Sequence, residues 1–538
     1  MNQTKKNKSS NKSINNKSIN NKSINNKSIC NKSNNYIKLL TKTNTSSYIK
    51  YKKYISTLST HFIKSQTILL SSLFKVKDDT KFTITYKQLS LTEPDTINKY
   101  SIPHFIDIFR YLISKNNYIN DFINNFNLEE QNILKDKLST HYSKTQCYTF
   151  LDTSPLGNKL LSVYNSIDTT IMTDLVINYP TLHFHKLLIN SFTSYKILED
   201  LELNIKNLIL FSIVYEGQKM VNFVYLFTYD TLKYTKDNDS ILDLGRDIVK
   251  RILFFNTFLN TTLYPDKFII FMTDKKKEID KELKEHIHFK TINVNTAVTN
   301  GNDIIIYREQ ELLKSIFHEL IHFHNLDFRH VSPDILNNII SYLIKTHNIK
   351  ENNDYLLYEC ITESLANILN NIYYSGTLQE MNINLQNEIM FSTLQITKIL
   401  NICKYKKWNE FSHSSNDSQS LSKKKYKYKS ISKSKQFKQD SCVFSYYILK
   451  LYIFLNLDTY FKHVLDSKMK FIQTKHSFDY LIHIFDSSRK NKLLEQIVNS
   501  MLEGLKLHKH SKKYKNIKKI DHIDHIDHID NTLRMTCL

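Results

Sequence analysis

The chain has 538 residues, with 74 Lys and Arg against 52 Asp and Glu, and therefore a formal net charge of +22. Hydrophobic residues make up 41%, which predicts a sizeable folded core and excludes a wholly disordered chain. The charge is unevenly placed. Residues 1–77 hold 16 Lys and no acidic residue, and residues 404–438 hold 11 Lys against two acidic residues. The remainder is slightly acidic, so the folded body is not a basic nucleic-acid platform, and any polyanion contact is expected in the tails and a linker.

Composition and periodicity divide the chain into seven regions. A basic tail repeats Asn-Lys-Ser-Ile-Asn, and a second tail repeats Ile-Asp-His; both are low-complexity tracts that we expect to be disordered. The predicted regions, in chain order, are a disordered tail (1–55), a mostly helical region (56–200), an α+β region (201–330), a helical region (331–405), a basic linker or insertion (406–440), C-terminal helices (441–508) and a disordered tail (509–538).

The α+β region is predicted to contain a sheet that ends in a hairpin. Apolar β-rich runs occupy residues 208–215, 221–228 and 268–271, with a helix near 242–259. Two further runs, 292–299 and 302–307, are separated by Asn300-Gly301, a strong hairpin signal. An edge strand at this point would offer free backbone groups to an extended peptide.

The sequence His318-Glu319-Leu320-Ile321-His322 follows this hairpin. Its surroundings repeat apolar residues at helical spacing, which predicts a helix with one buried face. On such a helix the two histidines at i and i+4 share the other face, with the glutamate beside them. Two imidazoles at this spacing are a metal-ligand pattern, and a neighbouring carboxylate is suited to act as a general base.

A third metal ligand must come from elsewhere in the chain. Asn325 and Phe328 occupy the positions at which one common pattern has a glycine and a third histidine, so His324 and His330 are poor ligand candidates. A helix predicted near residues 355–372 carries polar residues on one face at i, i+4 and i+8, and these are Glu359, Glu363 and Asn367. Either glutamate fits the role of third ligand.

These motifs over residues 200–375 resemble the gluzincin branch of zinc metallopeptidases. The resemblance implies a zincin-like α+β fold, in which a mixed sheet with an antiparallel edge strand and the HExxH helix precede a helical subdomain. It implies zinc ligands at His318 and His322 and a general base at Glu319. Glu363-Ser364-Leu365-Ala366 looks like the family's third-ligand motif, so Glu363 is favoured and Glu359 is expected to orient a histidine. The segment Val294-Asn295-Thr296-Ala297 looks like the family's substrate strand.

The implied activity is peptide-bond hydrolysis by a zinc-activated water, with a peptide or protein substrate. An oxyanion donor from the helical part is also implied, and the candidates are Tyr355, Tyr358, Tyr373, Tyr374 and His347. The alternative is a catalytically inactive zincin-fold structural or virion protein whose basic tails bind polyanions. A zinc content measurement distinguishes the two classes.

The remaining signals concern location. The polar N-terminus has no apolar signal segment, and the most apolar run, residues 443–455, is too short to span a bilayer. Six scattered cysteines indicate free thiols. A soluble intracellular protein without membrane contact is therefore expected. Abundant Asn, Lys, Ile and Tyr are similar to the composition of proteins from AT-rich giant DNA viruses, in which case the location would be the host cytoplasm or the virion.

Overall fold

The computed structural model describes the parts of the chain that carry the predicted site and most of its surroundings. The described residues are 31, 33–41, 45–65, 82–90, 106, 109–110, 124–139, 141–165, 193–215, 218–229, 238–329, 331–347, 349, 355–412, 437–510 and 531–538. The predicted low-complexity repeats at residues 11–29 and 520–530 and most of the predicted linker lie outside these residues.

Helices are the main element of the described chain. Those before the metal-site motif are α1 (Thr45–Ser65), α2 (Leu128–Lys137), α3 (Lys144–Thr153), α4 (Pro155–Asn165), α5 (Tyr195–Asn204), α6 (Asn238–Leu259), α7 (Lys281–His286) and α8 (Thr291–Val294). The motif helix and those after it are α9 (Leu312–Phe323), α10 (Pro333–Thr346), α11 (Tyr358–Tyr374), α12 (Leu378–Ile402), α13 (Trp408–Ser412), α14 (Lys450–Phe454), α15 (Leu457–His463), α16 (Lys475–Arg489) and α17 (Lys492–His510). A π-helical segment, Phe444–Leu449, leads directly into α14.

Six of the eight described strands form one mixed sheet, which lies among the helices, and the other two pair with each other. The strands are β1 (Phe82–Ser90), β2 (Ile205–Tyr215), β3 (Gln218–Tyr229), β4 (Lys267–Phe271), β5 (His288–Phe289), β6 (Ala297–Asn300), β7 (Asp303–Ile306) and β8 (Lys438–Gln439). The order in the large sheet is β1-β2-β3-β4-β7-β6, and β5 pairs with β8 separately. The β3–β4 and β4–β7 pairs are parallel, and the others in the large sheet are antiparallel. The predicted α+β class is confirmed.

The two faces of this sheet are covered by different helices, because side chains along a strand alternate between faces. Phe268 and Ile270 of β4 face a large core shared with α6, α9 and the later helices. Ile269 and Phe271 face a second core shared with the N-terminal helices α2 to α5. The sheet therefore lies between an N-terminal helical layer and the layer that contains the motif helix.

The hairpin before the motif helix is present, but its first strand is shorter than predicted. Residues 292–299 were expected to form one strand, whereas Thr291–Val294 is a short helical turn and only Ala297–Asn300 pairs with β7. Gly301 adopts the left-handed conformation that this turn requires (φ 59°). Among the described strands β6 has one partner only, so it is an edge strand of the sheet, as predicted.

Both chain ends contribute more to the core than predicted. Residues 33–40 and α1 are helical, and Tyr51 of α1 is fully buried and bonds Thr393 of α12 at 2.9 Å. Gly504 of α17 permits a close approach here, because a Cβ atom would lie 2.0 Å from the carbonyl oxygen of Leu40. Of residues 531–538, all but Asn531 and Arg534 are also buried. The predictions of disorder over 1–55 and 509–538 are therefore wrong for these parts, since their apolar residues pack against distant helices.

The structure bears on three smaller predictions, which concern membrane-spanning helices, the cysteines and the helical region 56–200. In the described part of the chain, no helix is both long enough and apolar enough to cross a membrane. Five cysteines are free and buried, at positions 147, 360, 403, 442 and 537, which agrees with the predicted free thiols. The predicted helical region 56–200 also contains β1, which adds a strand to the far end of the large sheet.

Candidate metal centre

The predicted motif helix is α9, and it is buried on all sides. Its apolar face, which includes Ile316, Phe317 and Leu320, packs into the large core. His318, Glu319 and His322 lie on another face and are also buried, with exposed fractions of 3–7%. Buried ionisable side chains are costly unless they are paired, so the surroundings of these three residues define the site.

The carboxylate closest to both histidine Nε2 atoms belongs to Glu359 of α11. One of its oxygens, Oε2, lies 3.3 Å from Nε2 of His318 and 3.3 Å from Nε2 of His322. A tetrahedral zinc ion with bonds of about 2.0–2.1 Å holds its ligand atoms about 3.3 Å apart. His318, His322 and Glu359 could therefore hold a metal ion together, and they are the group in the described chain that is spaced to do so.

The other ring nitrogen of each histidine faces a second carboxylate. Nδ1 of His318 is 3.0 Å from Glu363, and Nδ1 of His322 is 2.5 Å from Asp327. When Nδ1–H donates to a carboxylate, the Nε2 lone pair is left to bind a metal, and the ring is held in one orientation. The two outer carboxylates thus direct both Nε2 atoms toward Glu359.

This arrangement reverses the predicted roles of the two glutamates. Glu363 was expected to bind the metal and Glu359 to orient a histidine. In the structure, Glu363 accepts hydrogen bonds from Lys314 at 2.8 Å and from Asn367 at 2.6 Å, and it also lies 3.0 Å from Nδ1 of His318 and 3.9 Å from the ammonium of Lys450. The physical reason is the offset between α9 and α11, which places Glu359 opposite the histidines and Glu363 one turn away, opposite Lys314.

His324 and His330 were predicted to be poor metal ligands, and the structure describes the first of them. His324 packs between Phe255 and Phe323, away from the metal group, as the helical spacing predicted. Burial lowers the pKa of His324 to about 4, so this ring is neutral at ordinary pH. His330 lies outside the described residues.

The electrostatics of the site favour a bound cation. Burial acts to lower the pKa of His322, but Glu359 and Asp327 outweigh it and raise that pKa to about 10. The pKa of His318 is raised for the same kind of reason, by Glu359 and Glu363 against burial. Burial acts to raise the pKa of Glu359, yet the two histidines bring it well below the usual range. The carboxylates therefore stay ionised and attract either protons or a metal to the imidazoles.

The predicted general base, Glu319, is held by the edge strand. Its Oε2 accepts a hydrogen bond of 2.7 Å from the hydroxyl of Thr299, and the same hydroxyl lies 3.1 Å from the backbone carbonyl of Glu319. Thr299 belongs to β6, so the base side chain is fixed relative to the strand with free backbone groups. This contact brings the predicted base and the predicted substrate strand together.

A pocket opens beside the histidines. Its walls come from residues 294–297, from Ser315, His318 and Glu319 of α9, and from Lys277, Lys314, Tyr446 and Met535. The cavity measures about 20 Å³, which is space for one or two water molecules. The site thus has a volume in which small groups can meet Glu319.

Sequence reasoning missed Tyr446, which lines this pocket. The Tyr446 ring lies 5.8 Å from the ring of His318, and burial, with Glu359 and other charges, raises the pKa of its hydroxyl well above the usual value. The hydroxyl therefore remains a proton-bearing donor. It belongs to the π-helical segment, a kind of element that is frequent at functional sites.

The predicted oxyanion donors are placed differently. Tyr358 lies beside the ring of His322, at 5.9 Å, but Tyr373 and Tyr374 pack on the guanidinium of Arg251. His347 bonds the hydroxyl of Tyr452, and Tyr355 packs on Phe444.

Asp327 was also missed by sequence reasoning, because it lies in a loop without periodicity; its one signal was its position five residues after His322.

Comparison with known proteins adds no relative to this description. The chain matches no protein-family model, no curated protein and no solved structure.

Proposed function

We propose that this chain is a zinc-dependent peptidase. The observation that carries the proposal is that Nε2 of His318 and Nε2 of His322 each lie 3.3 Å from Oε2 of Glu359, the separation of two zinc ligands, beside Glu319. Two imidazoles and one carboxylate are a donor set of catalytic zinc sites, which keep a further position for water. The zincin fold and the family resemblance inferred from the sequence belong to the same proposal.

The chemistry of each residue follows from its position. His318, His322 and Glu359 would hold the zinc ion, which would supply Lewis-acid chemistry, the polarisation of a carbonyl and the activation of a water. Glu319 takes the proton of the attacking water and passes it to the leaving amine, because Thr299 holds its carboxylate in place. Tyr446 donates a hydrogen bond to the developing oxyanion. Strand β6 pairs with the extended backbone of the substrate, which places the scissile bond near Glu319.

The test combines metal content with hydrolysis. Purified wild-type protein should contain one zinc per chain by elemental analysis, and His318→Ala and His322→Ala should lose it. Glu319→Gln should keep the zinc and lose about 10²–10⁴-fold in the rate of hydrolysis of a peptide library. A wild-type protein without stoichiometric zinc, or a Glu319→Gln variant with unchanged hydrolysis, would contradict the proposal.

The alternative function, polyanion binding by an inactive virion or structural protein, depends on the basic tracts. Most of these tracts lie outside the described residues, and no observation in the described chain favours it. Stoichiometric zinc with no hydrolysis of any peptide by the wild type would favour this alternative over the peptidase.

A further inference from the structure

The segment 531–538 is a largely buried part of the candidate site, although a stretch outside the described residues, 511–530, separates it from α17. Leu533 and Thr536 are fully buried and Met535 is 4% exposed. The segment begins beside the loop before α7, where the amide of Leu533 donates to the carbonyl of Lys277 at 2.7 Å and the amide of Ile279 donates to the carbonyl of Asn531 at 2.7 Å. It therefore docks on the loop that leads toward the pocket.

Buried charged side chains then fix the backbone around Met535. Glu311, the residue before α9, accepts hydrogen bonds from the amides of Met535 at 2.6 Å and Thr536 at 2.9 Å. Lys450 donates to the carbonyl of Met535 at 2.5 Å, and Glu388 accepts from the amide of Cys537 at 3.0 Å. Hydrogen bonds to ionised groups are the strong ones, so residue 535 has little freedom to move.

With its backbone fixed in this way, Met535 places its side chain in the pocket beside the metal centre. Its sulfur lies 3.7 Å from Nζ of Lys314, and the side chain lines the same cavity as His318, Glu319 and Tyr446. Residues 294–297, the last of which begins β6, also line this cavity. If a peptide pairs with β6 and its scissile bond lies at Glu319, this cavity is the space next to that bond, because Glu319 lines it.

Neither of the two lysines that line the cavity offers an unpaired charge to a substrate side chain. Lys277 is bonded to Glu311 at 2.6 Å, and Lys314 is bonded to Glu363 at 2.8 Å. Each ammonium is thus matched by a carboxylate. With Met535 in place, about 20 Å³ of space remains, which is enough for only one or two water molecules.

We propose that Met535 determines substrate specificity by closing this pocket, so that the substrate carries a small, uncharged side chain next to the scissile bond. The inference rests on the proposed peptidase function and adds the class of substrate. Met535 acts as a wall and takes no part in the chemistry. A larger pocket at the same place admits larger apolar side chains.

The first test changes the size of residue 535 and measures a ratio. Wild type, Met535→Ala and Met535→Leu are assayed on matched peptides with Ala or Leu at the position next to the cleaved bond. Met535→Ala should raise the Leu-to-Ala ratio of kcat/KM by at least about tenfold, the scale of methylene-sized discrimination. Met535→Leu, which conserves volume, should keep the wild-type ratio. Leu533→Ala is the matched control, because it shortens a buried side chain of the same segment that does not line the pocket.

The second test begins with a labelling measurement that needs neither metal nor activity. Met535→Cys is treated with a methyl methanethiosulfonate reagent, which adds a methylthio group and restores a side chain close to methionine in length. Peptide mapping by mass spectrometry should show labelling at position 535 at least tenfold faster than at position 533 in Leu533→Cys. In the active enzyme, labelling should return the Leu-to-Ala ratio to the wild-type value.

The two tests separate failure of the inference from failure of the proposed function. If no variant hydrolyses any peptide, the peptidase proposal fails, and the labelling rates alone decide whether Met535 faces an accessible pocket. If the wild type is active but Met535→Ala leaves the ratio unchanged, or if positions 535 and 533 are labelled equally slowly, the role of Met535 is overturned.

Discussion

Two buried polar clusters lie side by side along α9, and they neutralise their carboxylates differently. The lysine cluster consists of Lys277, Lys314, Lys450, Glu311, Glu363 and Glu388. The histidine cluster consists of His318, His322, Asp327 and Glu359. In the lysine cluster each glutamate has an ammonium within 2.6–3.5 Å. In the histidine cluster the contacts of Glu359 are the two imidazoles, at 3.3 Å.

The difference explains why the lysine cluster is balanced by its own residues, whereas the histidine cluster could hold a metal ion. An ammonium is a cation at neutral pH, even that of Lys277, whose pKa burial lowers to about 8 although Glu311 acts to raise it. The lysine cluster is therefore balanced by its own residues at neutral pH. An imidazole is a cation only when it is protonated, and it is a metal ligand when it is neutral. Asp327 has a guanidinium partner, Arg329, at 3.4 Å, so it is Glu359 that protons or a metal ion must balance. Glu363, which touches both Lys314 and His318, joins the two clusters.

The contrast between the two clusters is tested most strongly by replacing one glutamate of each cluster with glutamine. Glu359→Gln should lower zinc affinity on the order of 10³-fold, because it removes one ligand of a site whose total binding free energy is roughly 10–16 kcal/mol in structural zinc domains. Glu363→Gln should lower it about 10–100-fold, as expected for a group that orients a ligand. Competition with a zinc-binding dye measures both. The reverse order would restore Glu363 as the ligand and Glu359 as the orienting residue.

Removal of a lysine from the lysine cluster should lower the free energy of unfolding. Lys314→Met leaves Glu363 with a more distant ammonium, that of Lys450 at 3.9 Å. Breaking a buried ion pair from one side is strongly destabilising, so the free energy of unfolding should fall by about 3–4 kcal/mol. Urea unfolding in the presence of a chelator measures it, and the double variant Lys314→Met/Glu363→Gln should recover part of the loss. A loss under about 1 kcal/mol would show that the pair is not part of a balanced cluster.

Acid should weaken the lysine cluster through Glu311. Burial acts to raise the pKa of Glu311, but Lys277, Lys314 and Arg534 outweigh it and bring the pKa to about 2, from 4.5. A lowered pKa contributes stability that is fully present above pH 4.5 and is lost as the pH falls toward 2. The stability difference between wild type and Glu311→Gln should therefore shrink by about 3 kcal/mol over this interval. Denaturant titrations at a series of pH values test this, and a difference that stays constant with pH would refute it.

The smallest expected effect concerns the base next to the histidine cluster. Thr299→Val removes the hydroxyl that donates to Glu319 at 2.7 Å and keeps the branched shape of the side chain. A hydrogen bond to a charged group is worth about 1.5–3 kcal/mol, so kcat should fall roughly tenfold. Zinc content should not change, since Thr299 contacts no proposed ligand. Loss of zinc in this variant would mean that Thr299 supports the cluster as a whole.

Local patterns in the sequence predicted the parts of the site that one helix or one turn determines. Apolar periodicity identified α9, the i and i+4 spacing placed His318 and His322 on one face, and Asn300-Gly301 marked the hairpin. The same reasoning identified a helix with two glutamates one turn apart. It could not choose between Glu359 and Glu363, because both share a face of α11, and only the packing offset between α9 and α11 decides which one meets the Nε2 atoms.

Site residues that lie outside the two motif helices gave no usable signal in the sequence. Asp327 lies in a loop, Tyr446 lies in a π-helical segment whose backbone departs from the 3.6-residue period, and Met535 follows a low-complexity repeat. Each is positioned by tertiary contacts with α9 or its neighbours. The predicted tail at residues 509–538 failed for the same reason, since its last eight residues are held by Glu311, Glu388 and Lys450 and have little pattern of their own.

Strand β6 has a consequence for how long a bound peptide stays. It has four residues, and in a strand only about half of the backbone N–H and C=O groups point to the open side. At about 1 kcal/mol for each net hydrogen bond, pairing along β6 alone gives a few kcal/mol. Under the proposed function, residence times of a peptide on the strand would then be short, which would favour release of product. The same shortness limits how firmly the exposed edge of a second molecule can pair there, so β6 can serve as an open edge without promoting aggregation.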